Sequence, residues 1–96
     1  MKAVIMNQYG DSQVLEYVED FPKPELKADD VLIEVKAAAV NPIDWKMRQG
    51  YLKEMIEIPF PFILGLDVSG VVKEVGKEVT MFKIGDEVYA RADTSR

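Results

Sequence analysis

Asn41, Asp44, Trp45 and Lys46 place an amide, a carboxylate, an indole and an amine within the run Asn41-Pro42-Ile43-Asp44-Trp45-Lys46. Polar groups gathered where a strand feeds directly into a short helix can meet a ligand. The plainer account is a capped helix whose Trp45 packs and whose Lys46 and Arg48 are solvated, and the pattern alone favours it. The chain contains neither cysteine nor histidine. That removes disulfides, thiol nucleophiles, Ser-His-Asp triads and most zinc or transition-metal sites. Any chemistry must rest on Asp, Glu, Lys, Tyr, Ser or a bound cofactor.

Gly65-Leu66-Asp67-Val68-Ser69-Gly70 invites comparison with a phosphate-binding loop. Val71 and Val72 follow it, where a P-loop requires Lys and Ser or Thr, and the third glycine of a dinucleotide fingerprint is missing. A bend in a curling strand explains the two glycines better.

The elements that must hold these residues are mostly strands. Lys2 to Met6 and Val14 to Val18 are expected to form a hairpin, with a turn across Asn7 to Ser12 that uses Gly10 and Asp11. Pro22 and Pro24 each remove a ladder donor, so Phe21 to Asp30 is a connecting loop. Val31 to Val40 alternates most clearly and is expected to be half-buried, with Val31, Ile33, Val35, Ala37 and Ala39 sharing a face. Val68 to Val75 sets Val68, Gly70, Val72 and Glu74 against Val71, Lys73 and Val75. Gly85-Asp86-Glu87 turns the chain into a fifth strand, Val88 to Ala90. One helix starts at Asn41, with Pro42 in its first position and Asp44 in its first turn, and ends at Gly50. Tyr51 to Ile58 suits either one more helical turn or a loop. The fold class is therefore mainly β with one or two short helices, a small partly open β-barrel.

The 96 residues allow one compact domain, and 48% hydrophobic with 30% charged residues marks it as folded. Residues 1 to 48 carry 6 positive and 9 negative charges and residues 49 to 96 carry 6 and 8. With a net charge of −5 so evenly spread, nucleic acid is not an expected partner. The longest stretch without charged residues, Ile58 to Leu66, has nine members and two prolines. A spanning helix needs about 18 apolar residues, so no membrane partner is expected. Ala3 to Met6 is shorter than the apolar core of about 7 to 15 residues in a secretory signal, and a cytoplasmic location is expected.

The strand into Asn41-Pro42-Ile43-Asp44, then Pro61-Phe62-Ile63-Leu64-Gly65-Leu66-Asp67-Val68-Ser69-Gly70-Val71-Val72, Val75-Gly76 and Gly85-Asp86-Glu87-Val88, strongly resembles the N-terminal half of the medium-chain dehydrogenase/reductase superfamily. That half is its GroES-like catalytic domain. The Asn-Pro-x-Asp and Gly-x-Asp pair is most similar to the zinc-free branch, the quinone oxidoreductases and enone reductases related to zeta-crystallin. In zinc-dependent members a cysteine stands at the place of Asn41 and a His-Glu pair at Leu66 and Asp67. The resemblance therefore implies no metal and no alcohol oxidation. It implies hydride transfer from NADPH to a quinone or to an activated C=C, without deciding between NADPH and NADH.

Carried over residue by residue, the resemblance puts Asn41 near nicotinamide and substrate, as a catalytic and cofactor-binding residue. Lys46 becomes a cofactor contact, Trp45 and Tyr51 line the substrate cleft, and Tyr51 is a second catalytic candidate. Asp44 braces the helix, while Gly65, Asp67 and Gly70 hold the barrel together. Residues 1 to 96 would be the N-terminal part of the catalytic domain, with an incomplete barrel. The Rossmann domain that binds most of the cofactor is missing from the chain. Alone, the chain is expected to be inactive. The alternative is a stand-alone GroES-like structural module, a possible homo-oligomer whose exposed strand edges are covered by self-association.

Overall fold

The computed structural model describes residues 1–92. Two compact units make up the chain, the first from residues 1–23 and 40–65 and the second from residues 24–39 and 66 onward. Each contains one three-stranded antiparallel sheet, and neither sheet closes on itself. The expected class, mainly β with short helices and an open, partial GroES-like arrangement, holds.

In the first unit, β1 (Ala3–Met6) pairs with β2 (Leu15–Val18), Met6 opposite Leu15. The expected hairpin is present, but its second strand starts one residue late. Ser12–Val14 instead forms a single 3-10 turn, because the Asp11 carboxylate accepts the Gln13 N–H at 2.9 Å and caps it. After β3 (Val31–Ala38), α1 (Pro42–Gln49) returns to this unit, followed by β4 (Phe62–Ile63). Sequence patterning missed β4, since two residues directly after Pro61 give no alternation to detect. It completes the sheet by placing Ile63 opposite Ile5 and Phe62 opposite Met6. Met6, Met47, Ile58 and Phe62 form the core here. Burying each such side chain contributes about 1.5–3 kcal/mol. Residues 51–56 make successive turns, with the Met55 and Ile56 N–H groups both donating to the Leu52 carbonyl at 2.9 and 2.8 Å, and do not extend the helix.

In the second unit, β5 (Asp67–Val75) lies between β3 and β6 (Glu87–Arg91), so β6 runs one residue further at each end than expected. Of the two faces expected for β5, the one that carries Gly70 and Val72 turns inward, both residues being buried. Gly70 is required by a close approach: a Cβ there would sit 2.0 Å from the Glu34 carbonyl oxygen of β3. The expected half-burial of β3 holds only for its first residues. Val31, Leu32 and Ile33 are partly covered, whereas Val35 is 53% exposed and strand pairing ends at Ala38. Register shifts between Leu32 and Ile33 and between Val35 and Ala37 break the period-two alternation, so the apolar positions no longer share one face.

Candidate functional site

Helix α1 carries two of the four candidate residues, Trp45 and Lys46, and its two caps position the others, Asn41 and Tyr51. Asn41 is the N-cap in extended conformation, φ −124° and ψ 158°, and Pro42 takes the first helical position. The Asn41 N–H donates to Asp44 Oδ2 at 3.0 Å, the carboxylate half of a capping box. Asp44 is buried at 8% exposure, and its Oδ1 has no hydrogen-bond partner. The expected bracing role of Asp44 is thus visible as a bond to the backbone of Asn41.

At the other end, Gly50 adopts the left-handed conformation, φ 86°. Its N–H donates to the Met47 carbonyl at 3.1 Å, and the Tyr51 N–H donates to the Lys46 carbonyl at 3.0 Å. These two bonds form a Schellman motif, whose usual companion is an apolar contact across the last turn. Here that contact is Trp45 against Tyr51, edge to face, with ring centroids 5.6 Å apart and planes at 78°. A Cβ on Gly50 would press on the Tyr9 ring at 3.2 Å, so glycine is required twice over at this position.

The helix divides by face. Ile43 and Met47, one turn apart, pack on the core, while Trp45 and Lys46 are exposed. Lys46 Nζ lies 5.8 Å from the centroid of the Trp45 ring, within cation–π range. Arg48 Nε donates to the Gly10 carbonyl at 3.2 Å and the Gly10 N–H returns a bond to the Arg48 carbonyl at 2.9 Å, which ties the loop after β1 to the helix. The structure therefore brings Trp45, Lys46 and Tyr51 together as one outward-facing cluster, with Asn41 one turn from Trp45 at the head of the same helix. It does not enclose them.

The second unit presents two shallow depressions, of about 600 and 500 Å³, on the face of its sheet. Tyr89 borders both, with Glu87 at one and Arg91 at the other, and none of the four candidates lines either. Sequence reasoning passed over Tyr89, which is 90% exposed. The signal was available in the alternation of Glu87, Tyr89 and Arg91 with Val88 and Ala90. Among the described residues no group of three or more acidic side chains is placed to hold a metal ion. None of their helices is long and apolar enough to cross a membrane.

Two open antiparallel sheets, with a short capped helix after the first strand of the second sheet, are the arrangement of a partial GroES-like domain. The chain belongs to the alcohol dehydrogenase GroES-like domain family, whose model matches residues 27–95, and so to the medium-chain dehydrogenase/reductase superfamily. It is 49% identical over 90 residues to the chloroplastic NADPH-dependent alkenal/one oxidoreductase of Arabidopsis thaliana, covering 94% of this chain and 23% of that protein. It superposes on the quinone oxidoreductase from Coxiella burnetii with a TM-score of 0.83 at 42% identity, covering 96% of this chain and 29% of the other. The Escherichia coli quinone oxidoreductase complexed with NADPH gives a TM-score of 0.86 at 28% identity, over 98% of this chain and 28% of the other. The chain thus spans about a quarter of the length of the relatives it matches.

Proposed function

We propose that residues 1 to 96 are the N-terminal part of the catalytic domain of a zinc-independent, NADPH-dependent reductase of quinones or enones, whose Rossmann lobe lies in polypeptide beyond this segment. The observation that carries this reading is the exposed face of α1, where an indole, an ammonium and a phenol cluster beside the N-cap amide. The names of the relatives, an alkenal/one oxidoreductase and quinone oxidoreductases, support the substrate class.

Zinc does not suit the donors at the family's ligand positions. Asn41 offers a neutral amide and Leu66 an aliphatic chain, leaving Asp67 as the one ionisable ligand among them. NADPH suits the α1 face better, because Lys46 supplies a cation for a phosphate or ribose and the Asn41 amide can orient a carboxamide or a carbonyl. When bound, NADPH supplies the hydride that reduces the quinone ring or the β-carbon of the enone. The Asn41 amide donates to the acceptor carbonyl, whose oxygen gathers the resulting negative charge. Trp45 and Tyr51, packed edge to face, line one side of the cleft that takes the acceptor, and the Tyr51 hydroxyl or a water molecule delivers the proton that completes the reduction.

The test is quinone-dependent NADPH oxidation by the polypeptide that carries this segment together with its nucleotide-binding lobe. Asn41→Ala and Lys46→Ala are each expected to lower kcat/KM by roughly tenfold or more, the loss of one interaction of about 1.4 kcal/mol. Unchanged kinetics in folded variants would remove both residues from the site.

A further inference from the structure

The loop after β1 holds the last turn of α1 in place. With eight residues, the helix is shorter than the roughly 12–15 that sustain an isolated helix in water, so its ends depend on contacts elsewhere in the unit. The last four carbonyls of a helix lack partners within it. Those of Lys46 and Met47 are taken by the Tyr51 and Gly50 N–H groups. The Arg48 carbonyl is taken by the Gly10 N–H, 38 residues earlier in the chain, and the Arg48 side chain answers by donating from Nε to the Gly10 carbonyl. That second bond is charge-assisted and half-buried.

Tyr9 supplies a second hold one residue away. Its ring lies so close to Gly50 that a Cβ there would sit 3.2 Å from Tyr9 Cγ, and it meets the Phe60 ring edge to face with centroids 5.2 Å apart. The ring also packs on the core of Met6, Met47, Ile58 and Phe62. Gly10 is itself fixed, because a Cβ on it would sit 2.6 Å from Val14 Cγ1, and the Val14 N–H closes the capped turn on the Asp11 carbonyl at 3.1 Å. Both holds bear on the residues just before Tyr51, Arg48 through its carbonyl and side chain and Gly50 through its Cα. Tyr51 has little cover of its own, being 66% exposed, so the place of its hydroxyl follows from the backbone beneath it.

We infer that Tyr9 and Arg48 are positioning residues that fix the Tyr51 hydroxyl in the reductase site, the loop after β1 acting as a clamp on the last turn of α1. The inference rests on the reading of Tyr51 as part of that site and adds the residues that set its place. Tyr9 acts through Gly50, and Arg48 acts through the end of the helix. A frayed last turn parts the two Schellman bonds, separates Tyr51 from Trp45 and leaves the hydroxyl without a fixed position. Displacing a reacting group by about 1 Å costs on the order of a hundredfold in rate, and less here because water can stand in as the proton donor. Asn41, at the far end of the helix and held by Asp44, keeps its place. The effect therefore falls on turnover and not on cofactor binding.

The test combines amide hydrogen exchange with steady-state kinetics on the polypeptide that carries this segment together with its nucleotide-binding lobe. Tyr9→Ala and Arg48→Met should each speed exchange of the Gly50 and Tyr51 amides about tenfold or more, while the β1–β2 amides keep their wild-type rates. In the same variants kcat should fall about tenfold with the KM for NADPH within about twofold of wild type, as expected for a group that matters only in the transition state. Tyr9→Phe retains the ring against Gly50 and should bring both readings back to within about twofold of wild type. Arg48→Met decides the matter if Tyr9→Ala fails to fold. Unchanged exchange at Gly50 and Tyr51 in the folded variants overturns the inference. So does faster exchange spread evenly through the unit, or faster exchange at these two amides with kcat intact. A wild-type polypeptide that leaves NADPH unoxidised with every quinone and enone overturns the reductase reading instead, and the exchange rates still report whether the clamp holds Tyr51.

Discussion

Asp44 Oδ2 accepts the backbone N–H of Asn41 at 3.0 Å, and this bond links the buried side of α1 to the residue at the head of the candidate site. The same carboxylate lies in the first turn, where the helix dipole favours negative charge. Asp44→Ala should therefore lower unfolding free energy by about 1–2 kcal/mol, the usual cost of losing a cap interaction. Urea denaturation measures it. A loss of only a few tenths would mean that the cost of the partnerless buried Oδ1 offsets the cap.

Gly70 and Gly65 separate two reasons for glycine. At Gly70 an added Cβ would overlap the Glu34 carbonyl at 2.0 Å, and that backbone is held in the β3–β5 ladder. Gly65 has open space around it but a φ of +107°. Gly70→Ala should cost about 3 kcal/mol or more, at the upper end of overpacking effects. Gly65→Ala should cost about 1–2 kcal/mol of backbone strain. Thermal melts compare the two directly, and the reverse order would show that the strands yield more easily than the turn.

The Trp45 and Tyr51 rings meet because the Schellman turn brings them together. Their coupling is accordingly a property of the folded helix end, present without ligand. A double-mutant cycle with Trp45→Ala and Tyr51→Ala should give about 0.5–1.5 kcal/mol of interaction energy in urea. A value near zero would mean that the rings are free to separate.

Legibility from sequence followed the range of the interactions. α1 was readable to the residue, because Asn41, Pro42, Asp44 and Gly50 each act within one turn of their own position. The glycine at 70 was readable as a bend in a curling strand, but the close approach that requires it, to the Glu34 carbonyl 36 residues earlier, depends on strand pairing. β4 was invisible because a two-residue strand exists through its partner β1 and not through a pattern of its own. The burial of β3 was misjudged since alternation presumes a regular ladder, and two register shifts interrupt it. In the candidate site, Asn41, Trp45, Lys46 and Tyr51 were found on one helix and its cap. Nothing local indicated that the last two aromatic residues would touch each other.

Loss of the Glu34 charge should weaken the second sheet in a pH-dependent way. Glu34 accepts from Lys36 Nζ at 2.8 Å and faces Lys73 Nζ at 3.1 Å, across the β3–β5 pair. The hydrogen bond from Lys36, followed by that from Lys73, holds the Glu34 carboxyl below its ordinary value. A depressed folded-state pKa means that the folded chain binds the proton less readily than the unfolded one. The stabilisation is therefore complete at pH values above the unfolded-state pKa and disappears as pH falls through the folded-state pKa. Glu34→Gln should lower the melting temperature slightly at neutral pH and leave it unchanged at the acid end. Both lysine side chains are 61% exposed, so added salt should shrink the neutral-pH difference. A difference that persists undiminished in strong acid would assign the role of Glu34 to packing along β3 and not to its charge.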